Sequence, residues 1–133
     1  MSSEGIFNEI VKRAKASWPD DRDMQAHCIS AEKEAFEELQ RLDFGEYDAL
    51  KQELIVAAKE VVDSWDDILD YVQSEYSAFL ALRDLSTDGI DVATLDAWKR
   101  EAADNYPDHY EVQLDCVKSR IQKHFSYLKR VGP

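Results

Sequence analysis

The chain has 133 residues and a mass of 15.3 kDa, the size of one ordinary domain, and at that length roughly two-thirds of the unfolded surface can be buried. With 44% hydrophobic and 33% charged residues, four Gly and three Pro, it is neither disordered, low-complexity nor fibrous, and its net charge of -12 opposes direct contact with nucleic acid. No apolar run approaches the roughly 18 residues of a membrane span, and Met1 to Ile10 lacks the basic flank and apolar stretch of a secretory signal, so a cytoplasmic protein away from membranes is expected. Cys28 and Cys116 stand far apart with no C-x-x-C spacing, which predicts neither a disulfide framework nor a structural zinc site.

The breakers Pro19, Gly45, Asp88-Gly89 and Pro107 separate stretches whose apolar residues recur at helical spacing. In the first stretch, Ile6, Phe7, Ile10, Val11, Ala14 and Trp18 predict a helix over 4–17 that stops where Pro19 makes Trp18 extended. A second helix carries Met24, Cys28, Ala31, Ala35, Leu39 and Leu42, with Asp20, Asp21 and Asp23 at its positive end and Gly45 as a left-handed stop. From Glu46 to Leu85 there is neither Gly nor Pro, and Leu50, Leu54, Ala57, Val61, Trp65, Ile68, Val72, Phe79 and Leu82 share one face. One continuous or kinked helix is expected there, about 60 Å long, although Ser64-Trp65-Asp66-Asp67 has the form of a capping box.

A fourth helix is expected over 92–103 behind Asp91 as its cap, and a fifth from Pro107 onward through Tyr110, Leu114, Val117, Ile121, His124, Phe125 and Leu128. Val112, Cys116 and Tyr127 fall away from that last stripe and are expected to meet another helix of the same domain, the alternative being a contact patch for a partner. No alternating strand pattern, internal repeat or low-complexity linker is expected. The predicted fold is therefore all-α, one domain over 1–133, a bundle of about five helices with an unusually long central one.

Most enzyme classes find no footing. Three residues before His27, His109 and His124 stand Met24, Tyr106 and Ile121, and four after them stand Ala31, Gln113 and Leu128, so helical di-iron and zinc-hydrolase pairs are absent. No two glycines form a phosphate loop, and His124 on an apolar stripe reads as a residue at the core edge. The run Asp84 to Leu95 has Asp84, Ser86, Asp88 and Gly89 at the first, third, fifth and sixth positions of a calcium loop. Leu95 stands where the bidentate Glu is needed, so a turn followed by a helix cap is the better account. No metal or other cofactor is expected.

Charge is the most informative feature. Lys118, Arg120, Lys123, Lys129 and Arg130 make the C-terminal stretch basic, while from Asp63 to Asp91 only Arg83 opposes a long series of acids. On a continuous central helix, Glu60, Asp63, Asp67 and Asp70, with Asp66 at the edge and Glu75 further along, form a ridge opposite the apolar stripe. Its carboxylates rise in steps of about 4.5 to 6 Å, comparable with phosphate spacing. An ordinary solvated face intersperses Lys and Arg among its acids. The single sign predicts a non-enzymatic inhibitor that blocks a basic, nucleic-acid-handling protein or complex, in the manner of immunity proteins, antitoxins or phage anti-defence proteins. The competing expectation is a helical scaffold or homodimer built on an apolar seam through Leu54 and Ile68, with the acids serving only solubility.

Overall fold

The computed structural model describes residues 3–131. Within them lie six α-helices, one short 3-10 helix and no strand: α1 (Ser3–Ser17), α2 (Arg22–Arg41), the 3-10 helix (Gly45–Tyr47), α3 (Asp48–Val61), α4 (Trp65–Asp84), α5 (Val92–Asn105) and α6 (Tyr110–Val131). The all-α class is as expected, and the count is six because the predicted long helix is two. The chain forms two compact units, Met1–Val72 and Gln73–Pro133, whose boundary falls inside α4.

The break lies at Val62, which is extended at φ -136° and ψ 155°. Two consecutive β-branched valines weaken the helix locally, but the decisive partner comes from α2. There the carboxylate of Glu32, only 7% exposed, accepts the Trp65 N–H at 2.9 Å, and the Trp65 ring packs edge-on against Phe36 with centroids 4.9 Å apart. A buried acceptor at the first turn makes a helix start at Trp65 without any glycine. Ser64 itself donates its hydroxyl to Asp67 Oδ2 at 2.9 Å, while Asp66 and Asp67 sit in the first turn, where the helix dipole favours them.

The first unit buries Ile10, Leu39, Leu54 and Val72 almost completely. Each such side chain contributes about 1.5 to 3 kcal/mol through burial. Lys51, also buried, donates Nζ to Leu42 O at 2.8 Å and so serves the carbonyl end of α2. That helix has already ended at Arg41, with Leu42 extended, so Gly45 is not its stop; at φ 57° it opens the 3-10 helix instead. In the second unit Leu82, Ile90, Leu95, Ala102 and Val117 form the core, and Lys99 donates to Leu85 O at 2.9 Å beyond the end of α4. Gly89 turns at φ 88° with the Phe125 ring 3.4 Å from where a Cβ would stand. Asp91 takes the cap position of α5, though its side chain makes no capping hydrogen bond there.

The hairpins α1–α2 and α5–α6 follow one pattern, which overturns the expectation of no internal repeat. Trp18-Pro19-Asp20, Gln25 and Cys28 stand at the same spacing as Tyr106-Pro107-Asp108, Gln113 and Cys116. The turns share their hydrogen bonds. Trp18 N donates to Ala14 O at 3.0 Å and Tyr106 N to Ala102 O at 2.9 Å; Asp21 N donates to Trp18 O and His109 N to Tyr106 O, both at 3.2 Å. The Gln25 and Gln113 side chains reach back to the same two aromatic carbonyls at 2.6 and 2.8 Å. An ion pair ties each hairpin across its helices, and its charges are exchanged: Arg13 with Glu32 in the first, Glu101 with Arg120 in the second.

Candidate functional site

Each hairpin carries a groove on the same face. In the first unit Arg13, Ala14, Trp18 and Cys28 line an open groove of about 610 Å³; in the second, Glu101, Ala102, Tyr106 and Cys116 line one of about 470 Å³. The first has an additional wall, the joint between α3 and α4, which contributes Val61, Val62 and the acids Asp63, Asp66 and Asp67.

The structure brings together part of the predicted ridge and disperses the rest. Asp63, Asp66 and Asp67 meet at the groove, whereas Glu60 near the end of α3 and Asp70 further along α4 are exposed outside its lining. The predicted single face does not exist, because the helix that would have carried it is broken. Glu75 departs most from expectation: it is 5% exposed and its Oε2 accepts the Tyr110 N–H at 2.6 Å, so it is spent on the start of α6 rather than on a surface. Its carboxyl is pushed above the usual carboxylate range, chiefly by burial. The N–H groups of Tyr110 and Glu111 oppose that rise, the Glu111 charge adds to it and His109 draws it back. Leu54 and Ile68, the residues of the expected oligomer seam, are 1% and 2% exposed inside the first unit and line no free surface.

The acidic groove has one internal cation, and it is already engaged. Arg13 Nη2 donates to Glu32 Oε1, the same oxygen that receives Trp65 N–H, while Arg13 Nε is buried without an acceptor. Asp63, Asp66 and Asp67 are all exposed, and Trp18, 40% exposed, presents an indole beside them. Carboxylates around an aromatic face suit an ammonium or guanidinium group, which gains both Coulomb and cation–π attraction. Sequence reasoning missed Trp18, His27 and Cys28 as neighbours of these acids; only the folding of the α3–α4 joint onto the hairpin brings them together.

The other singled-out positions serve the fold. His124 is half-buried between Trp98 and Phe125, with ring centroids at 6.0 and 5.6 Å, as expected of a core-edge histidine. Asp84 is bound by Arg83 at 3.0 and 3.2 Å, and the Arg83 guanidinium holds its carboxyl below the usual range. Among the described residues no cluster of three or more His, Cys, Asp or Glu has the arrangement of a metal site, and no helix is long and apolar enough to cross a membrane. No protein-family model matches the chain, and no curated protein or solved structure is significantly similar to it.

Proposed function

We propose that this protein is a non-enzymatic inhibitor that receives a lysine- or arginine-bearing segment of a basic, nucleic-acid-handling partner in the acidic groove of its first unit. The observation that carries this reading is the convergence of Asp63, Asp66 and Asp67 with the exposed Trp18 around a groove whose one arginine is already paired with Glu32. Exposed carboxylates attract the partner over distance, the indole and the apolar edge of Val61 hold it, and the bulk of the domain then blocks the surface that nucleic acid would use.

The test is capture of basic proteins from source-cell extract by the wild-type chain and by a variant with Asp63, Asp66, Asp67 and Asp70 all changed to Asn. Because these side chains are exposed, the variant keeps its fold. The recovered partner should bind the wild type with an association rate that falls as salt rises, should bind the variant more slowly, and should lose its hold on nucleic acid when the wild type is added. A partner that binds the variant at an unchanged rate removes this reading.

A further inference from the structure

The two hairpins present equivalent faces, but only the first is given a further wall by its own unit. There the α3–α4 joint lies along the groove, with Trp65 N–H on Glu32. In the second unit the lining comes from α5, α6 and Tyr106 at the turn between them, and Tyr106 and Val112 remain 43% and 41% exposed.

We propose that a second copy of this chain covers that face, packing α6 antiparallel against α6 about a two-fold axis at Ser119. The charges on the face carry the choice of occupant. The first groove is strongly acidic, whereas the second pairs Glu101 and Asp115 with Arg120 and Lys123 and is neutral, as a self-complementary patch must be. Along α6 the acid Asp115 precedes Ser119 by four residues and Lys123 follows it by four. Antiparallel pairing about Ser119 therefore sets each Asp115 opposite Lys123 of the other copy, and the small serine lets the helices approach closely. The same register lays Tyr127, 60% exposed, over the region of Val112, so these two residues off the main stripe of α6 fall in the contact, while Cys116, half-buried against the core of its own unit, lines the groove beneath them. A cationic partner is drawn to the acidic groove instead, whereas the locally neutral patch, with its acids and bases set in register, is matched by a second copy in spite of the net charge of -12 on each chain.

The proposal is independent of the acidic groove, and salt separates the two. Groove binding weakens with salt, whereas a neutral patch on a strongly acidic chain associates better once the overall repulsion is screened. Light scattering on the full chain should show a mass rising with concentration and salt from 15.3 kDa toward twice that value. Ser119→Arg, an exposed change that leaves the helix intact, should hold the chain at the monomer mass, and so should Val112→Asp. Labelling with a thiol reagent supplies an internal control: Cys116 should become protected as concentration rises, while the equivalent Cys28 reacts at a constant rate. A monomer at every concentration and salt overturns the proposal. So does a dimer that survives both substitutions with Cys116 still fully reactive.

Discussion

The second helix of each hairpin needs acceptors for its first N–H groups, and the two hairpins meet that need differently. In the first, Asp21 precedes the helix and its own carboxylate accepts the Met24 N–H at 3.0 Å. In the second, His109 stands at that place, and the carboxylate comes from Glu75 on α4. The buried glutamates differ in turn. Glu32 is neutralised by Arg13 while it starts α4; Glu75 starts α6 with no lysine or arginine among the groups acting on it, and its carboxyl is raised. One backbone demand, met by a local side chain, costs little; met by a buried carboxylate from elsewhere, it costs desolvation that only a paired cation offsets.

The largest effect is expected at the paired glutamate. Glu32→Ala strands the partly buried Arg13 and removes the acceptor of α4, so it should cost about 2 to 4 kcal/mol in urea unfolding, less than a fully buried pair because Arg13 is still reached by solvent. A loss below about 1 kcal/mol, the range of a surface pair, would show that Glu32 is not the joint on which the α3–α4 break depends.

A smaller effect tests the local cap. Asp21→Ala should lower stability by about 1 kcal/mol, since a single N-cap acceptor is lost. His109→Asn supplies the second hairpin with the cap it lacks, so it should raise the melting temperature and should rescue much of the loss caused by Glu75→Ala. If Asn at this position gives no rescue, the two helix starts are not equivalent.

The finest distinction is one of sign. Because the folded carboxyl of Glu75 is raised above 4.5, the folded state holds its proton to higher pH than the unfolded chain does. Stability from this group is complete below that value and is lost as pH rises through the raised one. Glu75→Gln keeps an oxygen for the Tyr110 N–H and carries no charge, so at neutral pH the variant should equal or exceed the wild type. Any stability advantage of the variant should fade on acidification below the raised value. Glu32→Gln should do the opposite at neutral pH, because it leaves Arg13 without its counter-charge. Denaturant midpoints measured across pH for both variants check the pair.

The sequence by itself determined the helical class, the positions of α1, α5 and the body of α6, and the buried faces through Ile10, Leu54, Val72 and Val117. These follow from local periodicity and from breakers that act within a few residues. It also contained the repeat, in the shared aromatic-Pro-Asp with Gln and Cys at fixed distances behind it. The signal is thin, because the apolar residues around it differ and the ion pair is reversed. Tertiary structure alone decided the break at Val62, the withdrawal of Glu75 from the surface and the meeting of Asp63, Asp66 and Asp67 with Trp18. In each case the deciding group lies far away in the chain: Glu32 for Trp65, Glu75 for Tyr110, the first hairpin for the acids. Helix periodicity records which face of a segment is apolar, but not which distant carboxylate will satisfy its first free N–H groups, and that choice fixed where one helix ended and the next began.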